Sequence, residues 1–459
     1  MRLLHTTTLE FYEFDVSRAP WFAILSHTWG TQEVTFDDMC GKRAAIENRK
    51  GFRKIVGFCE KAREADLEYG WVDTCCIDKR NSTELSEAIN SMYRYYARAY
   101  ECYIYLSDVQ VGGDESTLEL IRDSKWFTRG WTLQELIAPT RRRLFDANWD
   151  PITPEKDGVG IDESLSFAVG VPLDLLTGNK LPSDYCVAER MSWAAKRETT
   201  REEDMAYCLL GLFDVHMVAI YGEGGKKAFR RLQMEIMQTC SDQTLFAWRR
   251  AEGDVIYQHY RIGGMLAHSP ADFERSRGLS IWGPRYLAPF SMTNVGLHVR
   301  LVDVTPKTPE LDPPPWWMRK ETVTAMIQCD IKDEATGQWQ GLAVYLEPVN
   351  NTAVRINGSF LKAYRRTNYA KWHPVPLAVS NGAPFFDLLV LEDEHYALVI
   401  RGRDADRSRF KTEFTSSNPE ICERDGFESA RAKGEDESLS PGVPPPPAGI
   451  ASSSSGLNI

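Results

Sequence analysis

The sequence predicts an α/β protein, with a parallel-sheet domain, a helical extension, a β-rich accessory domain and a disordered tail. Three observations carry this. Short apolar runs alternate with segments of helical periodicity in the N-terminal part. From about Gln258 to Arg401, β-prone runs such as Leu342–Leu346 and Tyr396–Ile400 are separated by Gly, Pro and Asn turns, which suggests a sandwich. Beyond roughly Ser416 the chain is rich in Ser, Glu, Gly and Pro, a composition too poor in apolar surface to fold. At 459 residues the chain exceeds one ordinary core, and the expected division is 1–150, 151–250, 251–412 and 413–459.

Ala23-Ile24-Leu25-Ser26 reads as a strand ending in the polar turn His27-Thr28-Trp29-Gly30. Phe52, Ile55, Cys59 and Ala62 then recur at helical spacing. Gly70–Asp73 is the next strand and runs into Thr74-Cys75-Cys76-Ile77-Asp78. Asn81 to Glu84 has the pattern of a capping box, opening a helix with Leu85, Ile89, Met92 and Tyr96 on one stripe. Tyr103–Leu106 and Leu144-Phe145 mark two further strands. Between them, Trp126–Pro139 sets two tryptophans, Arg129 and Glu135 in a short amphipathic helix that proline ends. This rhythm implies a parallel sheet with right-handed crossovers, which takes ligands at the carboxyl ends of its strands. Those ends carry Ser26, His27, Asp73, Asp78 and Asp108. From Pro151 to Trp248 the pattern is helical and is expected to pack on the first domain.

A net charge of -11 argues against a nucleic-acid partner, and Arg141-Arg142-Arg143 reads as a solvated edge. No apolar run approaches the span of a bilayer, and the N-terminus lacks a signal-peptide core. The 10 cysteines form no CxxC pair and no zinc-type spacing, so a reducing, cytoplasmic setting without a metal is expected.

Three blocks, Ala23–Gly30, Gly70–Asp78 and Trp126–Leu136, closely resemble the signature of the fungal heterokaryon-incompatibility (HET) domain. Arg201–Tyr207 and Tyr221–Gly224 resemble the segment that follows it. The resemblance implies a role in non-self recognition and regulated cell death, and a distant similarity to the flavodoxin-like TIR domains. Trp131–Leu136 resembles the W-C-x-x-E-L helix of TIR domains, with Thr132 in place of the cysteine. In TIR enzymes that cleave NAD the glutamate of this helix is catalytic, which places that role on Glu135. NAD enters as a substrate and no cofactor is implied. A homo-oligomeric working state is also implied. Neither a Walker A motif nor a blade period is present, so an upstream sensor protein is expected to supply the trigger.

Within this picture Trp126 and Trp131 are stacking surfaces and Arg129 lies near a phosphate, while the turn at Ser26 and His27 either meets a phosphate or has Ser26 as a cap and His27 packed beneath Trp29. Asp73 and Asp78 orient hydroxyls or simply form turns. Glu135 either stabilises a cationic sugar or is a structural carboxylate paired with Arg129 or a backbone amide. A Cys75 or Cys76 thiol activated by His27 is the less favoured chemistry. Glu87, Asn90 and Tyr93 face the rim or water. Gly222–Lys227 reads as a glycine-rich helix entry rather than a phosphate loop.

Overall fold

The structure, a computed structural model, describes residues 1–112, 117–153, 160–249, 262–281, 289–304, 323–332, 336–356, 359–367, 373–376 and 385–390. The tail predicted over 413–459 and the run Tyr396–Ile400 lie outside the described residues.

The first sheet contains β1 (Arg2–His5), β2 (Phe11–Glu13), β3 (Phe22–His27), β4 (Tyr69–Trp71), β5 (Glu101–Tyr105), β6 (Arg142–Phe145) and β7 (Pro151–Ile152). Its order is β2-β1-β4-β3-β5-β6-β7. The four central strands, β4-β3-β5-β6, are parallel, as the alternating rhythm predicts. The edges correct that expectation: β1, β2 and β7 pair antiparallel, so the sheet is mixed. Every residue of β3 is buried, as expected for a strand covered on both faces. Chain order reverses on either side of β3, which puts a topological switch point at its carboxyl end.

The connecting helices are α1 (Phe36–Cys40), α2 (Lys50–Glu64), α3 (Asp73–Cys76), α4 (Ser82–Arg98), α5 (Thr117–Arg122) and α6 (Thr132–Ile137). In α4 the Asn81 side chain caps the N–H groups of Thr83 and Glu84, which contributes about 1 kcal/mol. The reciprocal half of the predicted capping box does not form. Glu84 accepts from the Asp78 N–H and from Arg2 instead. The α6 helix is not amphipathic, since all six of its residues are buried. β3, α4 and Leu173–Leu176 pack against it, and Glu198, Thr199 and Cys208 close over the turn that enters it. A Cβ added at Gly130 would lie 2.5 Å from Thr199 Cγ2 and 3.2 Å from Cys208 Sγ, so the glycine permits this contact.

Helices α7 (Ile161–Val169), α8 (Leu173–Leu176), α9 (Val187–Ser192), α10 (Asp204–Tyr207), α11 (Leu210–Phe213) and α12 (Gly225–Thr239) follow. Asn90 clamps the backbone of Met217, and Tyr93 packs on Gly211. That face of α4 therefore meets protein rather than the rim or water, while Glu87 stays exposed. Arg142 departs from the expected solvated edge. Its side chain is 1% exposed, bonds the carbonyls of Pro139 and Leu176, and lies 3.5 Å from Asp162.

The second sheet joins β8 (Ile262–Gly263), β9 (Leu279–Ile281), β10 (Ser291–Met292), β11 (Leu297–Asp303), β12 (Val323–Lys332), β13 (Trp339–Ile356), β14 (Ser359–Thr367), β15 (His373–Pro376) and β16 (Phe385–Val390). The path β11-β16-β14-β13-β12 returns to β11, so these strands close on themselves instead of stacking as the expected sandwich. Closure leaves those strands without a free edge. Among the described residues, one large hydrophobic core runs from Leu3 in the first sheet to Val390 in the second, and Val302, Val304, Met326 and Ala343 form a smaller one.

Candidate functional site

Successive residues of a strand face opposite sides of the sheet, and at the end of β3 these residues are Ser26 and His27. Each looks into a different environment.

On the Ser26 side, the Ser26 hydroxyl donates to Glu135 Oε2 at 2.5 Å and accepts from the Trp126 indole N–H at 2.8 Å. Tyr96, which donates to the Leu25 carbonyl at 3.0 Å, stands beside the same carboxyl. Burial raises the Glu135 pKa to about 8; Asp73 adds to the rise, while the bond from Ser26, the neighbouring Tyr96 hydroxyl and the Arg197 charge oppose it. The carboxyl therefore carries a proton at neutral pH. Arg197 donates to the Arg129 carbonyl and the Thr132 hydroxyl, and leaves Nη2 unpaired.

On the His27 side, the loop after β3 brings Glu33 back over α2. Glu33 Oε1 accepts from the Gly30 N–H at 2.7 Å and from Lys54 Nζ at 2.6 Å. This approach depends on Gly51, where a Cβ would meet the Gln32 carbonyl oxygen at 2.5 Å and Glu33 Cα at 2.8 Å. Asp73, the first residue of α3, accepts from the Trp29 indole N–H at 2.9 Å and lies 3.7 Å from Lys79 Nζ. Lys79 Nζ sits 3.5 Å over the Trp29 ring, a cation–π contact. His27 Nε2 faces both carboxylates, 3.7 Å from Asp73 Oδ1 and 4.0 Å from Glu33 Oε2. The imidazole side chain is 1% exposed, and burial, with the Lys54 and Lys79 charges, holds its pKa well below 6.5. Neither ring nitrogen has a hydrogen-bond partner; Glu33 Oε2 and Thr74 Oγ1 also have none.

The structure thus gathers Ser26, Trp126 and Glu135 on one side, and His27, Trp29 and Asp73 on the other. It does not bring in the remaining candidates. Asp78 is held by Arg80 at 3.0 Å. Arg129 reaches Thr200 at 2.8 Å rather than Glu135. The Trp131 indole bonds Asp204. Asp108 receives Ser124 and the Lys125 N–H. Burial and its hydrogen-bonded neighbour Cys76 push the Cys75 thiol well above its usual range, so it supplies no thiolate for His27. The glycine-rich turn before α12 is filled from within, because Glu203 accepts from the N–H groups of Gly222 and Gly224. Sequence reading missed Glu33, Lys54 and Lys79. For Lys54 there was a signal, since it falls on the buried stripe of α2 with Gly51, Ile55 and Phe58.

Among the described residues there is no metal-type cluster of His, Cys, Asp and Glu. Nor is any of their helices long and apolar enough to cross a membrane. Two clefts lie away from the β3 end. One, of ≈ 270 Å³, includes Arg2, Glu13 and Glu84; the other, of ≈ 410 Å³, includes Tyr185, Ile281 and Trp339.

No solved structure matches the chain. Residues 227–261 match a family described only as a domain of unknown function, DUF8212. The vegetative incompatibility protein HET-E-1 of Podospora anserina is 48% identical over 230 residues, which cover 48% of this chain and 16% of that protein. The chain thus spans only a small part of this relative's length. Residues 22–113, which hold β3, α2, β4, α4 and the whole His27 cluster, match the heterokaryon incompatibility protein (HET) family. The chain carries a HET domain.

Proposed function

We propose that this protein acts in heterokaryon incompatibility and regulated cell death, that its sheet rim binds an NAD-like dinucleotide, and that Glu135 promotes cleavage of the nicotinamide–ribose bond. The biological role rests on the HET domain and on the printed name of its Podospora relative. The chemistry rests on one observation: a carboxyl with its pKa raised to about 8 lies at the switch point, sharing the Ser26 hydroxyl with a buried indole.

In this reaction the C1′–N bond breaks and its electron pair goes to the nicotinamide ring, which leaves uncharged. The ribose becomes oxocarbenium-like, then water adds and releases a proton. A protonated Glu135 cannot stabilise that cation, so the working form is the carboxylate. A cationic ligand beside Glu135 and the spare N–H of Arg197 both favour ionisation. The working state on this reading is a homo-oligomer in the cytoplasm, triggered by a separate sensor, and its TIR-like character is part of the proposal.

The enclosure of the same carboxyl favours a second reading. Glu135 is 8% exposed and bonded to a buried serine, as a structural latch would be. On that reading the domain signals by self-association without catalysis. The test is nicotinamide release from NAD by purified protein, assayed as monomer and as assembled oligomer. At NAD well below saturation, where the free protein's ionisation governs the rate, the expected release rises with pH through about 8, and Glu135→Gln lowers it on the order of 10²–10³-fold. No release in either state leaves the self-association reading. Full release by folded Glu135→Gln removes the residue assignment.

A further inference from the structure

We propose that the His27 side of the rim is a binding site for a vicinal diol, and that the ribose of a nucleotide is the ligand group it takes. This rests on the nucleotide reading for the source of the diol, but it stands on residues other than Glu135.

Charge argues against an anion here. Lys54 is paired with Glu33 at 2.6 Å and Lys79 stands 3.7 Å from Asp73, so the cluster sums to zero with His27 neutral. Two carboxylates facing the gap repel phosphate. Hydroxyl groups suit them, because each O–H donates to a carboxylate oxygen and its own oxygen still accepts.

The spacing agrees. The gaps of 3.7 and 4.0 Å from His27 Nε2 to the two carboxylates are too long for direct hydrogen bonds. A hydroxyl oxygen about 2.8 Å from both His27 Nε2 and Glu33 Oε2 would span the 4.0 Å gap, accepting from the one and donating to the other. His27 Nε2 and Glu33 Oε2, both buried and without partners, are the atoms such an oxygen would engage. A second hydroxyl on the adjacent carbon is within reach of Asp73, whose side chain is 18% exposed and opens the cluster to solvent.

Trp29 completes the arrangement. It is 60% exposed although its N–H is anchored on Asp73 and Lys79 covers one face of its ring, so the rim holds the indole in place with the other face as a platform. An aromatic face beside carboxylates is the combination that takes a sugar: the ring packs its C–H surface while the acids take its hydroxyls.

The experiment is binding to the full chain, followed by tryptophan fluorescence and calorimetry. The probes are ADP-ribose, adenosine, free ribose and 2′,3′-dideoxyadenosine. ADP-ribose and adenosine are expected to bind, with the dideoxy compound weaker by at least about tenfold. Asp73→Asn and Glu33→Gln are each expected to weaken adenosine by about tenfold as well. Trp29→Ala, a change at an exposed residue, serves if either of those variants fails to fold, and is also expected to weaken adenosine. Free ribose binding as tightly as adenosine keeps the diol site but overturns the nucleotide as its source. Equal binding of adenosine and its dideoxy analogue, or no binding of any diol probe, overturns the site. Diol-dependent binding without nicotinamide release removes only the cleavage reading. Release of nicotinamide without diol dependence removes only this one.

Discussion

Ser26 and His27 are neighbours in one strand, yet the two faces they serve are built differently. Around Ser26, the Trp126 indole, the serine hydroxyl and the Glu135 carboxyl form a closed chain of hydrogen bonds. Around His27, buried polar atoms face one another across gaps with nothing bonded to them. A satisfied polar network rigidifies a fold, whereas an unsatisfied one costs stability and is retained where a ligand completes it. The Ser26 side thus reads as a lock around an acid that burial keeps protonated, and the His27 side as a socket.

The largest effect that would break this comparison is expected at Trp126. Its ring is 1% exposed and anchors Ser26, so Trp126→Ala should cost about 3–5 kcal/mol in denaturant unfolding. A loss below about 1 kcal/mol would mean the lock is not closed.

The pH dependence comes next. Glu135 titrates at an ordinary 4.5 when unfolded and at about 8 when folded. Its contribution to stability is therefore fully present below pH 4.5 and is lost as pH rises through about 8, by an amount on the order of a few kcal/mol. Glu135→Gln should flatten that slope in unfolding curves taken across the window. An unchanged slope would assign it to other groups.

Gly51→Ala sharpens the other side. The added methyl pushes on Gln32 and Glu33, and overpacking of this kind costs about 1–3 kcal/mol. It should also weaken adenosine binding by displacing Glu33. Normal stability with normal binding would show that the loop after β3 is not held there.

The smallest stability change is expected at the socket itself. His27→Leu replaces two unpartnered nitrogens with apolar atoms, so stability should stay within about 1 kcal/mol of wild type or rise. Adenosine binding should be lost. Destabilisation by more than about 2 kcal/mol would mean that His27 holds the fold together instead.

Strand and helix periodicity made β3 to β6 and their connecting helices legible, and with them the rim positions Ser26, His27 and Asp73. These are local patterns in a continuous stretch of chain. The antiparallel edges were hidden because β1, β2 and β7 stand outside the strand–helix alternation that marked the equally short β4 and β6. The closure of the second sheet depends on β11 meeting β12, a pairing that no local pattern announces. The socket was half legible. Asp73 and His27 fall at strand ends, but Glu33 and Lys79 reach the site from loops whose path depends on the packed fold. The α6 helix looked amphipathic because α8, which with α4 and β3 packs against it, comes much later in the chain.

The most direct measurement is the infrared absorption of the protonated carboxyl of Glu135, identified by its absence in Glu135→Gln, with and without NAD. Without ligand, the account predicts a protonated acid at neutral pH whose band disappears through about pH 8. With NAD bound, the band should already be lost at neutral pH, because a cation at the rim favours the carboxylate. A carboxyl already ionised well below neutral pH, or one whose titration NAD leaves unmoved, would contradict it.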